Sequence, residues 1–163
     1  MLPLDPIEEA KSHWEQSGWE EAATGMEFVT SIMRAQQILM SRIDAILRPL
    51  ELTFARFEVL MLLAFSRRGE LPMSVIGSRL QVHPASVTSV VDRLERDNLV
   101  ERRRHPDDRR AVLVHLSDEG RSLGTKAAEA LNAEVFISLG ISAEQLLSVS
   151  EAIADLRHSN GDF

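Results

Sequence analysis

Arginine is concentrated in one short stretch of the sequence, residues 99–117, which reads LVERRRHPDDRRAVLVHLS. Between Arg102 and Arg110 this stretch holds five arginines and two aspartates, a local net charge of +3. Guanidinium groups bind phosphate oxygens through paired hydrogen bonds, and they enter the narrow, negative minor groove of A-tract DNA. Alternating apolar residues flank the cluster, so we expect a two-stranded hairpin to carry it. The stretch predicts contact with nucleic acid, and the alternative is a solvated basic hairpin with no ligand.

The segment before the hairpin, residues 73–95, has the pattern of two short helices joined by a turn at residues 81–83. The second helix has an apolar face at helical spacing, made of Val87, Val90, Val91 and Leu94. Its outward line carries the candidate base contacts Ser86, Ser89 and Arg93. His83 and Thr88 are candidate phosphate contacts, or residues that only cap or decorate the helix. Two short helices followed by a basic hairpin are typical of a winged helix-turn-helix.

The consecutive arginines at the start of the hairpin must differ in role. Residues two apart on a strand share a face, so Arg102, Arg103 and Arg104 cannot all point the same way. We expect two of them, Arg103 included, to meet phosphate while another covers the protein surface.

Helices are expected on both sides of this motif, and several residues indicate where they begin or end. Thr53 and Ser117 have the side chains preferred at a helix N-cap, whereas Asn98 suits a left-handed residue that stops a helix. The expected helices cover residues 6–14, 24–47, a segment from Thr53 to the turn at 67–69, two short helices starting at Pro72 and Pro84, residues 119–136 and residues 143–157.

The composition limits the class of protein. The 163 residues are enough for one domain with a core, and the longest apolar runs are far shorter than the roughly 20 residues of a membrane span. With no signal-like start either, we expect a cytoplasmic protein. There is no cysteine, which excludes disulfides and thiol chemistry. The net charge of −7 is unusual for a DNA-binding protein, but acid is concentrated in residues 7–27, away from the arginine cluster.

Two stretches carry a resemblance to a known family. The run DDRRAVLVHLSDEG resembles the wing signature of the multiple-antibiotic-resistance regulator (MarR) family, and the helix PASVTSVVDRLERDNLVER is similar to that family's recognition helix. The resemblance extends over nearly the whole chain. It implies a mainly α protein with a small β-hairpin wing, an α+β winged helix-turn-helix in a single domain over residues 1–163. Residues 53–116 would form the DNA-binding lobe, and residues 1–48 and 118–163 the dimerisation helices.

The resemblance also implies roles for the wing. Asp108 and Arg110 would pair and brace the hairpin, which leaves Arg109 at the tip to enter a minor groove. Their spacing agrees with this, since residues two apart share a strand face. A homodimer would present two recognition helices and two wings to an inverted-repeat operator of double-stranded DNA.

Members of the family commonly bind small aromatic or anionic molecules, so the resemblance implies a repressor that is released by a small-molecule effector. The candidate ligand-binding residues are Trp14, Trp19, Met33, Arg34, Arg56, Met61 and Phe65. No catalytic constellation, phosphate loop or metal-ligand spacing is present, so we expect neither an enzyme nor a cofactor. The alternative function is a ligand-binding or protein-interaction dimer that no longer binds DNA, which the acidic net charge favours.

Overall fold

A computed structural model describes residues 4–80, 84–106, 108 and 111–163 of the chain. Its helices are α1 (Pro6–Gln16), α2 (Glu20–Leu47), α3 (Phe54–Ala64), α4 (Met73–Leu80), α5 (Pro84–Arg96), α6 (Asp118–Leu131) and α7 (Ala143–Ser159). A 3-10 turn at Arg48–Leu50 closes α2, and a π-helical turn at Asn132–Phe136 closes α6. The strands are β1 (Glu70–Pro72), β2 (Val100–Arg104) and β3 (Val112–Leu116).

The helix ends follow from their capping residues. Asp5, Thr53, Ser117 and Ser142 each accept a hydrogen bond from a backbone N–H of the first turn that follows. Asn98 has φ 58°, the predicted left-handed residue at the end of α5. Gly18 has φ 80° and separates α1 from α2, which begins four residues earlier than predicted. The helices predicted after Thr53 and after Ser117 are therefore confirmed.

The sheet has one more strand than the predicted hairpin. Strands β2 and β3 pair antiparallel, with Arg102 opposite Val114, and β1 adds to the other side of β3 with Glu70 opposite His115. The order is β1-β3-β2, so β2 is an edge strand. Pro72 was expected in the first turn of a helix, but it is the last residue of β1. A three-residue strand is too short to produce a recognisable alternation, which explains the error.

The core lies where α2, α3, α5 and α6 meet the inner face of the sheet. Its largest fully buried side chains are Leu47, Leu60, Leu63, Ile76, Leu94, Leu131, Val59, Val91, Val114 and Val135. Val135 lies in the segment 118–163 that was expected to form dimerisation helices, but it is 1% exposed and belongs to the core of the protomer. In the part of the chain that the structure describes, no helix is long and apolar enough to cross a membrane.

Candidate nucleic-acid interface

Helix α5 has one buried face and one exposed polar face. Val87, Val91 and Leu94 are buried in the core, which confirms the predicted inward face. Four of the predicted DNA-contacting residues lie exposed on the rest of the helix: Ser86, Thr88, Ser89 and Arg93. Arg96 is exposed as well. Because the apolar side of the helix packs in the core, its other side presents hydroxyl and guanidinium groups to solvent.

The three consecutive arginines of β2 have different surroundings. Arg102 turns toward α5 and contacts Asp92 and Glu95. Arg103 pairs with Glu101 on its own strand through Nη2 to Oε2 at 2.7 Å, and this partner lowers the pKa of the Glu101 carboxyl. Arg104 is exposed at the end of the strand. The prediction that one of the three would cover the protein is confirmed for Arg102, and Arg103 and Arg104 remain accessible.

The loop between β2 and β3 is described only in part. The ring nitrogen Nδ1 of His105 accepts a hydrogen bond from the backbone N–H of Asp108 at 3.2 Å. The backbone N–H of Ala111 donates to the carbonyl of Asp108 at 3.1 Å. Arg109, Arg110 and His83 lie outside the described residues, so the pairing of Asp108 with Arg110 stays a prediction.

Two of the predicted ligand-binding residues lie where α1 meets α2. The rings of Trp14 and Trp19 contact edge to face, with centroids 5.3 Å apart. Arg34 lies further along α2 and lines a crevice between α1 and α2 with a volume of about 280 Å³. The other lining residues are Pro6, Ile7, Ala10, Thr30, Met33 and Gln37. This crevice combines an apolar wall with one guanidinium and a few neutral polar groups.

The other three ligand candidates lie elsewhere in the fold. Arg56 is buried; it pairs with Asp97, and its Nη1 donates to the carbonyl of Glu51 at 2.7 Å. Met61 is half-buried, and its sulfur lies near Gly124 of α6. Phe65 is 81% exposed at the end of α3. The structure therefore does not bring these residues into the crevice that Arg34 lines.

No role for Asp92, Glu95 or Asp97 followed from the sequence. All three are acidic residues of α5 or of the turn after it, and each pairs with an arginine from another element. Acidic residues on the helix that was predicted to contact DNA were a signal that they have partners, because unpaired carboxylates there would repel phosphate. Among the described residues, no three His, Asp or Glu side chains converge as a metal site requires.

The helices at the two ends of the chain expose many apolar side chains. On α2 and α7 these are Phe28, Val29, Met33, Ile38, Leu147, Val149 and Leu156. No residue of α7 is buried within the protomer. Apolar surface of this extent usually marks an interaction site.

The helix-turn-helix formed by α4 and α5, with a basic β-hairpin beside it, defines a winged helix protein. Residues 52–112 match the MarR family. Sco5413, a MarR family transcriptional regulator from Streptomyces coelicolor, is 46% identical, with a TM-score of 0.78 over 86% of this chain and 97% of that one. This chain belongs to the MarR family of transcriptional regulators.

Two further relatives are less similar to this chain than Sco5413 is. Sco3205 of the same organism, a MarR family regulator solved in complex with DNA, is 23% identical, with a TM-score of 0.74 over 83% of this chain and 88% of that one. The transcriptional repressor MdtR of Bacillus subtilis is 38% identical over 63 residues, which are 39% of this chain and 41% of MdtR. The chain spans about half the length, or less, of the first curated relatives that it matches.

Proposed function

We propose that this chain is a sequence-specific DNA-binding repressor that acts as a homodimer. The observation that carries the proposal is the common exposure of the polar face of α5 and of Arg103 and Arg104 on the adjacent strand β2. Helix α5 would enter a major groove, where Arg93 can pair with guanine and the serines can contact several bases. The wing would lie over the neighbouring minor groove with Arg109 at its tip.

The homodimer is supported by the exposed apolar faces of α2 and α7. Two protomers related by a two-fold axis would place their α5 helices about 34–36 Å apart, one turn of DNA. The operator would then be an inverted repeat. This arrangement also accounts for a DNA-binding protein with a net charge of −7, because the basic elements meet DNA while residues 7–27 hold much of the acid.

Release by a small anionic molecule is the second part of the proposal. The crevice lined by Arg34 is the place where a carboxylate could pair with a guanidinium while an aromatic body contacts Met33 and Ile7. A related regulator, CouR from Rhodococcus jostii, has been solved with p-coumaroyl-CoA bound. A ligand in this crevice would change how α1 packs on α2, and so the spacing of the two DNA-binding lobes.

A dimer that binds ligands or proteins but no DNA is the second candidate, favoured by the acidic net charge. Binding to fluorescent DNA from upstream of the gene, over a series of salt concentrations, distinguishes the two. A repressor gives a log affinity that falls steeply with log salt, by about 0.9 for each phosphate contact. No binding to any fragment at low salt would contradict the proposal.

Two variants test the wing directly. Arg109→Ala should weaken binding and make the salt dependence shallower by about one phosphate contact. Asp108→Ala should weaken binding without that change in slope, because it removes the predicted brace of Arg110 and no phosphate contact. Wild-type affinity in Asp108→Ala would contradict the pairing, and an unchanged slope in Arg109→Ala would contradict the role of the wing tip.

A further inference from the structure

Arg102 is held against α5 by a set of contacts that its two neighbours lack. Its Nη2 lies 2.6 Å from Oδ1 of Asp92, and its Nη1 lies 2.6 Å from Oε2 of Glu95. The other carboxylate oxygen of Glu95 accepts the backbone N–H of Arg102 at 3.0 Å. Nη2 also lies 3.4 Å from the carbonyl of Thr88. One wing residue is thus fixed to three points along the helix.

The position of Arg102 in the sheet explains why it contacts α5. It lies opposite the fully buried Val114, on the face of β2 that Val100 shares and that turns toward the core. Glu101 and Arg103 lie on the opposite face and pair with each other. Because β2 is an edge strand, a backbone N–H on the side away from β3 has no partner within the sheet. The Arg102 N–H is such a group, and it donates to the carboxylate of Glu95.

We propose that Arg102 is a positioning residue that fixes the wing at a set orientation to the recognition helix α5 through Asp92 and Glu95. The proposal rests on the DNA-binding function proposed above. A protein that reads a major groove with a helix and a minor groove with a hairpin must hold the two at the spacing of the grooves. We call the contacts of Arg102 with Asp92 and Glu95 the clamp. Because the clamp sets the spacing before DNA is bound, it lowers the entropic cost of binding.

The Arg102 guanidinium keeps its charge in this set of contacts, because its pKa is raised. Burial would lower the pKa of the Arg102 guanidinium, but its hydrogen bonds with Asp92 and Glu95 and the negative charges of these two residues together raise that pKa by more. Both carboxylates are thereby paired with the positive charge of Arg102. They would otherwise be free negative charges beside the DNA backbone.

Neutralising the acids gives a test by the sign of the effect. If Asp92 and Glu95 only repelled phosphate, Asp92→Asn and Glu95→Gln would tighten DNA binding. The clamp predicts the opposite, a loss of about tenfold or more in affinity for the operator, as expected when a charged hydrogen-bond partner is removed. The matched control is Glu101→Gln, the same loss of charge on the wing without a contact to Arg102, and it should tighten binding slightly.

Arg102→Met separates positioning from phosphate contact. The clamp predicts weaker binding to the operator with an unchanged salt slope, because no phosphate contact is lost. Affinity for non-specific DNA should fall less, because the freed carboxylates of Asp92 and Glu95 repel phosphate in any sequence but non-specific binding does not need the wing at a set orientation. The double variant Glu95→Gln/Arg102→Met should lose little more than either single variant. A slope that falls by about one, tighter binding by the Asp92 and Glu95 variants, or additive losses would each overturn the proposal.

A DNA-free measurement keeps the two proposals apart. Glu95→Ala, which removes the acceptor of the Arg102 N–H, should increase the hydrogen-exchange rate of the Arg102 amide, measured by NMR in the intact protein, while the amides of α2 keep their wild-type rates. If the wild type bound no DNA, the proposed function would fail, and this measurement would still support or contradict the clamp. Unchanged exchange at Arg102 would contradict it, and Arg102→Lys provides a second variant should Arg102→Met fail to fold.

Discussion

At the scale of single residues, the partner decides what an arginine does. Arg56 is buried beside Asp97 and a backbone carbonyl, so its charge joins α3 to the end of the recognition helix. Arg102 joins the wing to that helix. Arg104 lies exposed at the end of β2. A buried guanidinium must have partners, whereas an exposed one keeps its donors for a ligand.

Among the carboxylates that the structure describes, Glu58 is the one whose ionised form is disfavoured by burial. Partial burial on α3 raises its pKa, so the folded state holds the proton at a pH where the unfolded chain has lost it. Stability therefore falls as pH rises through that window and stays lower above it. Glu58→Gln should raise the melting temperature at about pH 7, by no more than about 2 °C because the side chain stays partly hydrated.

The advantage of Glu58→Gln should shrink as the pH is lowered, because burial raises the pKa of the wild-type carboxyl and the folded chain takes up this proton at a higher pH than the unfolded chain does. Thermal unfolding followed by circular dichroism at several pH values measures both effects. Glu129→Gln, the same change at an exposed position of α6, is the control for the chemical change itself. A gain that did not depend on pH would contradict burial as its cause.

At the scale of elements, the start of α6 docks tightly on the turn between α5 and β2. The Ser117 hydroxyl accepts from the Gly120 N–H and donates to the Asn98 carbonyl at 2.8 Å. A Cβ on Gly120 would lie 2.0 Å from the carbonyl oxygen of Leu99. The Leu99 carbonyl is a backbone group that also accepts the Ser117 N–H at 3.1 Å, so it cannot move aside as a flexible side chain could, and position 120 requires glycine.

Gly120→Ala should therefore destabilise the fold by at least about 2 kcal/mol, despite the better helix propensity of alanine. Urea unfolding at a fixed protein concentration measures the loss. Gly25→Ala is the matched control, since Gly25 lies in α2 with nothing near its Cβ position, and it should stabilise by about 0.5–1 kcal/mol. Equal effects of the two substitutions would contradict the docking contact.

The sequence predicted those elements whose signals are local. The inward face of α5, the left-handed Asn98 and the cap at Ser117 each depend on a few adjacent residues, and the structure confirms them. Strand β1 was missed because its three residues become a strand only by pairing with β3, which lies about 40 positions later in the chain. The π-helical turn after α6 was likewise predicted as ordinary helix.

The candidate site, like the elements, was predictable only where the signal lies in residues close together in the sequence. Exposure of Ser86 and Arg93 followed from the helical period. The fate of Arg56 did not, because its partner Asp97 is 41 residues away and no spacing rule connects them. Arg102 resembled its neighbours in the sequence, and only the placement of β2 against α5 separated its role from that of Arg103.

At the scale of the whole molecule, α7 has an apolar stripe that the described part of the protomer leaves exposed. Val149 and Leu156 are exposed and seven residues apart, so they lie on one side of the helix. Another side carries Glu144, Ser148 and Glu151, which are polar and exposed. We therefore expect the apolar side of α7 to lie in the interface of the proposed homodimer and the polar side to face solvent.

Leu156→Glu should therefore convert the dimer to single chains at micromolar concentration, because it places a charge in an apolar interface. Operator affinity should fall by about a hundredfold, since two half-sites are then bound independently and the gain from linking them is lost. Ser148→Glu adds the same charge to the polar side, and it should leave both the sedimentation coefficient and the affinity unchanged. Sedimentation velocity and operator titration on both variants measure this. A dimeric Leu156→Glu would move the interface away from α7, whereas a monomer with wild-type affinity would contradict binding as a two-fold pair.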